Sequence, residues 1–124
     1  KVRLVFRHFP LDFHQQAPKA AEASLCANEQ SKFWEYHDVL FKNQQKLQVE
    51  DLKAHAQTMG LDATKFNECL DSGRMAAVVK SDTEAGQKAG VNGTPAFFIN
   101  GNVLSGAQPL EEFKKVIDAE LATN

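Results

Sequence analysis

The sequence is short of cysteine: Cys26 and Cys69 are its only two, and they lie far apart. No closely spaced pair exists, so a Cys-x-x-Cys redox centre or a thiolate zinc site inside this sequence is excluded. Four histidines, His8, His14, His37 and His55, are scattered without the short paired spacings of a metal site, so neither a metal nor another cofactor is expected. Charge of one sign is lacking as well. Fourteen Lys and Arg against sixteen Asp and Glu give a net charge of −2, and with no basic stripe nucleic-acid binding is not expected. No apolar run reaches the roughly 18 residues of a membrane span, so direct membrane insertion is not expected. No charged start followed by an apolar h-region is visible either. The sequence begins with Lys1 rather than Met, as a processed or truncated piece would.

What is present suffices for one core. With 124 residues, 43% of them hydrophobic and nine of them Phe, a single domain is expected. KVRLVFRHFPL opens the chain with Val2, Leu4 and Phe6 alternating against Arg3, Val5 and Arg7, and this period of two predicts a strand from Val2 to Phe9 that Pro10 ends. Leu11 to Ala17 reads as a loop.

Helical periodicity then takes over. Pro18 suits a first helical position, opening a small-residue helix that carries Cys26 to about Asn28. Ser31 to about Asn43 places Phe33, Trp34, His37, Leu40 and Phe41 on one wide stripe, read as a packing face with His37 in the core. A third helix runs from Glu50 to Met59 and stops at Gly60. A fourth starts at Asp62 as N-cap, carries Phe66, Cys69 and Leu70 on one side and stops at Gly73. A fifth covers Met75 to Lys88.

GVNGTPAFFING, from Gly90 to Gly101, is the most informative stretch. Pro95 has no N–H to give a sheet and suits only the first residue of a strand, so Ala96 to Asn100 is predicted to be a strand that begins abruptly. A cis Thr94–Pro95 bond would make such an entry. Asn100-Gly101 predicts a type I′ turn, returning the chain antiparallel through Val103 and Leu104. A last helix follows Pro109, with Phe113, Val116, Ile117 and Leu121 as its apolar face. Strand, five helices, two strands and a helix make an α/β or α+β fold, with the helices between residues 18 and 89 forming their own subdomain.

FRHFPL, KFWEYHDVLF, FNECLDSG and GVNGTPAFFING followed by SGAQPLEEF, in that order along the whole chain, resemble the DsbA-like branch of the thioredoxin superfamily. The resemblance implies a thioredoxin-like fold whose core is residues 1–10 and 95–124, with a helical insertion at 18–89. It implies a thiol:disulfide oxidoreductase or isomerase that exchanges disulfides with cysteines of exported proteins, in the periplasm or another exported setting, with a redox partner protein. The catalytic Cys-x-x-Cys, with the first strand and the start of the active-site helix, would then precede Lys1. Gly93, Thr94 and Pro95 would form the substrate-facing loop, Thr94 and Pro95 standing beside the reactive cysteines, and His8 would lie near the active-site end.

With that motif outside the sequence, whether this chain is itself an enzyme stays open, and the alternative is a non-catalytic module that binds a peptide or protein. An isomerase relative that uses glutathione is disfavoured, because Leu104-Ser105-Gly106 replaces its aromatic-Trp-Gly segment. The implied central strand also leaves a gap, to be closed by direct pairing of the flanking strands, by an upstream segment, or by a dimer or strand exchange. Cys26 and Cys69 have two readings, buried reduced thiols or a structural disulfide between the first and fourth helices; the disulfide is preferred.

Overall fold

The structure, a computed structural model, describes residues 1–123. It consists of α1 (Ala17–Asn28), α2 (Phe33–Lys42), α3 (Val49–Thr58), α4 (Ala63–Ser72), α5 (Ala76–Lys88), β1 (Ala96–Ile99), β2 (Asn102–Ser105) and α6 (Leu110–Ala122). Two compact units are present, His8–Glu84 and a second built from Lys1–Arg7 with Ala85–Asn124.

The His8–Glu84 unit is helical. Its helices begin and end where local chemistry directs. Pro18 sits in the first turn of α1, and the Asp62 carboxylate accepts the Lys65 N–H at 3.0 Å to cap α4. Gly73, at φ +71°, ends α4 in the left-handed conformation that side chains resist. Ala23, Cys26 and Ala27 form a small-residue face on α1 that lets the backbones of α2, α3 and α4 approach it. Tyr36, Leu52, Ala56, Phe66, Cys69 and Leu70 fill the space so enclosed. Cys26 and Cys69 are joined by a disulfide, both about 1% exposed, tying α1 to α4 across 43 positions.

The face expected of α2 is corrected. Trp34 and Phe41 are 42% and 60% exposed, and the fully buried residue of this helix is Tyr36. The Tyr36 hydroxyl donates to the Leu52 carbonyl at 2.9 Å, so its one polar group is satisfied inside the core. His37 is not a core residue either. It is partly exposed, lies between the rings of Trp34 and Phe41 and meets the Asp38 carboxylate through Nδ1 at 3.0 Å.

In the second unit β1 and β2 form an antiparallel hairpin in the register Ala96↔Ser105, Phe97↔Leu104, Phe98↔Val103 and Ile99↔Asn102. Asn100 and Gly101 have φ +50° and +88°, the two positive values that a type I′ turn requires. The Glu120 carboxylate of α6 accepts from the side-chain amides of both Asn100 and Asn102 at 3.1 Å, tying helix to turn. Phe97 meets Phe113 edge to face at 4.7 Å, which gives the Phe97–Leu104 side of the hairpin its cover. Leu121, expected on the apolar face of α6, is 45% exposed.

The strand expected over Val2 to Phe9 is absent. Residues 1–11 have no regular secondary structure, and the sheet among the described residues has two strands. Alternating side chains prepare a segment for a sheet, but a strand exists only where a neighbour completes its ladder, and none of the described residues does so.

Candidate functional site

The site is built from the end of α5 forward. Gly90 lies at φ +92°, donating its N–H to the Gln87 carbonyl at 3.1 Å while Val91 donates to Gly86 at 2.9 Å. This pair of bonds closes the helix and aims the next residues away from its axis. A side chain at Gly90 would meet no atom, so its backbone conformation is what matters. Gly90→Ala is therefore expected to cost about 1–2 kcal/mol, measured as a lowered urea midpoint with an unchanged slope.

Asn92, Gly93 and Thr94 lead from this cap to Pro95, and the Thr94–Pro95 peptide is cis. The Pro95 carbonyl accepts the Gly106 N–H at 2.8 Å, extending the hairpin ladder by one bond and fixing the loop to the far end of β2. Between loop and hairpin lies a shallow pocket of about 220 Å³. Asn92, Thr94, Pro95, Phe98, Val103 and Ser105 line it, together with the neighbouring glycines and alanines.

Gly93, Thr94 and Pro95, the loop that the resemblance implies faces substrate, are among the residues that line this pocket. Asn92, Phe98, Val103 and Ser105 were not anticipated there. The signal for three of them was available, since a two-residue period and the hairpin register put Ala96, Phe98, Val103 and Ser105 on one face. Phe98 and Val103 are 46% and 61% exposed, giving the pocket an apolar floor beneath a rim of backbone amides, amide and hydroxyl groups. No lining residue is ionisable. The pocket can therefore hold an extended chain by hydrogen bonds and apolar contact, but supplies no base, acid or thiolate. Cys26 and Cys69 are not among its lining residues and are already bonded to each other. His8 is buried within the helical unit, where its N–H donates to Asp82 Oδ2 at 3.0 Å and its carbonyl accepts the Thr83 hydroxyl at 3.5 Å.

A family sequence profile described as thioredoxin matches residues 1–119. The chain belongs to the thioredoxin family. This thioredoxin-family chain is also similar in fold to a crystal structure described as a thioredoxin-like oxidoreductase from Silicibacter pomeroyi DSS-3. The TM-score is 0.84 at 24% identity, over 96% of this chain and 68% of that one. The fold is therefore the DsbA-like, thioredoxin-like α+β arrangement with its helical insertion.

Among curated proteins, the chain is 39% identical over 123 residues to the Na(+)/H(+) antiporter NhaA 3 of Salinispora tropica. It is 37% identical over 122 residues to the Na(+)/H(+) antiporter NhaA 1 of Salinispora arenicola, and 35% identical over 118 to the Na(+)/H(+) antiporter NhaA of Herminiimonas arsenicoxydans. These matches cover 98%, 98% and 95% of this chain. The chain spans only about a fifth of the length of these relatives, 19% in each case.

Proposed function

We propose that this thioredoxin-family chain is the substrate-presenting part of a thiol:disulfide oxidoreductase acting on cysteines of exported proteins. Its Gly93-Thr94-Pro95 loop holds an extended substrate against a Cys-x-x-Cys that precedes Lys1. In exchange, a thiolate of that pair attacks one substrate sulfur; a mixed disulfide forms as the substrate S–S bond breaks and its other sulfur leaves as thiolate. The second cysteine of the pair then attacks the mixed disulfide, releasing the reduced substrate and leaving the pair oxidised. A redox partner protein that donates two electrons returns the pair to its dithiol form.

The observation that carries this reading is the chemistry of the pocket. It offers backbone and hydroxyl groups beside an apolar floor and no ionisable side chain, which suits holding a strand-like peptide and leaves the reactive sulfur to another segment. The formed Cys26–Cys69 bond supports an oxidising, exported setting such as the periplasm.

An insulin-reduction assay on the 124-residue chain beside a version extended upstream through a Cys-x-x-Cys tests the proposal. The extended protein is expected to turn over and the shorter chain to stay at background; full activity of the shorter chain would falsify the upstream nucleophile. The lack of any ionisable group in the pocket also favours a second reading, a non-catalytic peptide-binding module. That reading predicts peptide-induced amide shifts at Gly93 and Thr94 with no turnover in either protein.

A further inference from the structure

Two Asn-Gly pairs flank β1, Asn92-Gly93 before it and Asn100-Gly101 after it. Such a pair can close on itself, because glycine has no side chain to keep its backbone nitrogen from the preceding asparagine. The two pairs are held differently. Asn100 and Gly101 are the central residues of the hairpin turn, fixed at φ +50° and +88° between the paired residues Ile99 and Asn102. The Asn100 side-chain amide donates to the Glu120 carboxylate at 3.1 Å. For the Asn100 Cγ to reach the Gly101 nitrogen, this charge-assisted bond must break and the turn must change shape.

Asn92-Gly93 has no such restraint of its own. It lies in the irregular segment between the Gly90 cap and Pro95, and Asn92 is exposed. Among the described residues no hydrogen bond holds the Asn92 side chain or the Gly93 N–H. Gly93 also has room around it, since a side chain there would meet no atom. We infer that Asn92 is a site of spontaneous deamidation, by which the chain acquires a carboxylate on the rim of the pocket, while Asn100 in the same molecule is protected. The Gly93 nitrogen gives up its proton to hydroxide and attacks Cγ of Asn92; the new C–N bond closes a succinimide ring as the side-chain nitrogen leaves as ammonia. Water then adds to one of the two ring carbonyls. Opening on one side gives aspartate, and opening on the other gives isoaspartate, whose main chain is longer by a methylene. Both products put a negative charge where no lining residue is ionisable. The second also lengthens the loop that leads into Thr94 and Pro95. The reacting atoms belong to adjacent residues, so the inference applies equally to a chain extended upstream of Lys1 and does not depend on the thiol:disulfide reading.

Warm incubation at mildly alkaline pH, followed by chymotryptic peptide mapping that separates the two pairs at Phe97 and Phe98, tests this on the 124-residue chain and on the version extended upstream. In both proteins the peptide holding Asn92 should gain about 1 Da, by way of a form about 17 Da lighter than the parent, and should elute as two products. Its rate should rise with hydroxide concentration. In the folded protein it should convert about tenfold or more faster than the peptide holding Asn100, the protection given by a charge-assisted bond and a fixed turn. In concentrated urea the two should convert at similar rates. Gly93→Ala sets a methyl group beside the attacking nitrogen without meeting a neighbour, and should slow conversion at Asn92 about tenfold while leaving Asn100 unchanged. An Asn92 that stays intact, equal rates at the two sites in the folded protein, or conversion confined to the shorter chain overturns the inference. So does a Gly93→Ala variant that converts as fast as the parent.

Discussion

Loss of the Cys26–Cys69 bond is expected to destabilise the helical unit by about 4 kcal/mol, the loop-closure value for a bridge across 43 positions. For a unit of this size that lowers the melting temperature by on the order of 15–30 °C. The bond joins α1 to α4, and each sulfur lies in the cluster formed with Ala23, Ala27, Phe66 and Leu70. Two ways of breaking it separate two contributions. Reduction keeps both sulfur atoms in the core and removes only the chain constraint. A Cys26→Ala/Cys69→Ala double variant removes the constraint and also leaves space where the sulfurs packed, so it should melt lower than the reduced parent. Because both cysteines are about 1% exposed, reductant reaches them only through opening of the unit. Reduction in native buffer should therefore be slow and should accelerate in mild urea. Intact mass before and after denaturing reduction should differ by two hydrogens; an unchanged mass together with an unchanged melting curve would defeat this account.

The same bond illustrates which features local chemistry makes legible. Cys69 was placed on one face with Phe66 and Leu70 by helical spacing alone, and Asp62 and Gly73 bounded that helix because a carboxylate caps one end and a positive φ ends the other. The Asn100-Gly101 turn is equally local: two adjacent residues that tolerate positive φ fix the hairpin register, and from the register follows which side chains line the pocket. Pro95 was legible as a strand entry for the same reason, since its lack of an N–H dictates where a strand can begin, whereas a role for Thr94 and Pro95 in a site is implied by the family resemblance and not by local chemistry.

What failed to read correctly depended on partners. α2 carries Phe33, Trp34, Tyr36, His37, Leu40 and Phe41 around much of its circumference, so periodicity could not decide which side faces inward. The decision lay with Leu52 on another helix, whose carbonyl accepts the one polar group of Tyr36 and lets that residue take the core position. Val2 to Phe9 alternates as a strand should, yet alternation specifies faces and not a neighbour, and no described residue supplies the ladder. Both errors concern long-range pairing, which a local pattern constrains without selecting.

Tyr36 carries the other large effect. It is fully buried beside Phe66, with ring centroids 5.5 Å apart, and Tyr36→Ala is expected to cost about 3–5 kcal/mol through lost burial and the cavity left behind. Tyr36→Phe keeps the ring and removes only the bond to the Leu52 carbonyl, a loss of about 1 kcal/mol at neutral pH. The difference between parent and Tyr36→Phe should depend on pH in a definite sense. Burial raises the phenol pKa of the folded state well above its ordinary value, because a phenolate would be stranded without water. Below the unfolded value of about 10 both states keep the proton and the hydroxyl contributes its full share. Above it the unfolded chain releases the proton while the folded chain holds it, so the parent loses about 1.4 kcal/mol of stability per pH unit relative to Tyr36→Phe. The two stability curves should therefore cross about one unit above pH 10, with the phenylalanine variant the more stable beyond the crossing. Since Tyr36 is the only tyrosine, tyrosinate absorbance in the parent reports this group alone, and it should appear together with the loss of helical signal. Tyrosinate forming near pH 10 while the helices remain intact would show the hydroxyl to be open to water, and the assignment of Tyr36 to the sealed core would fall.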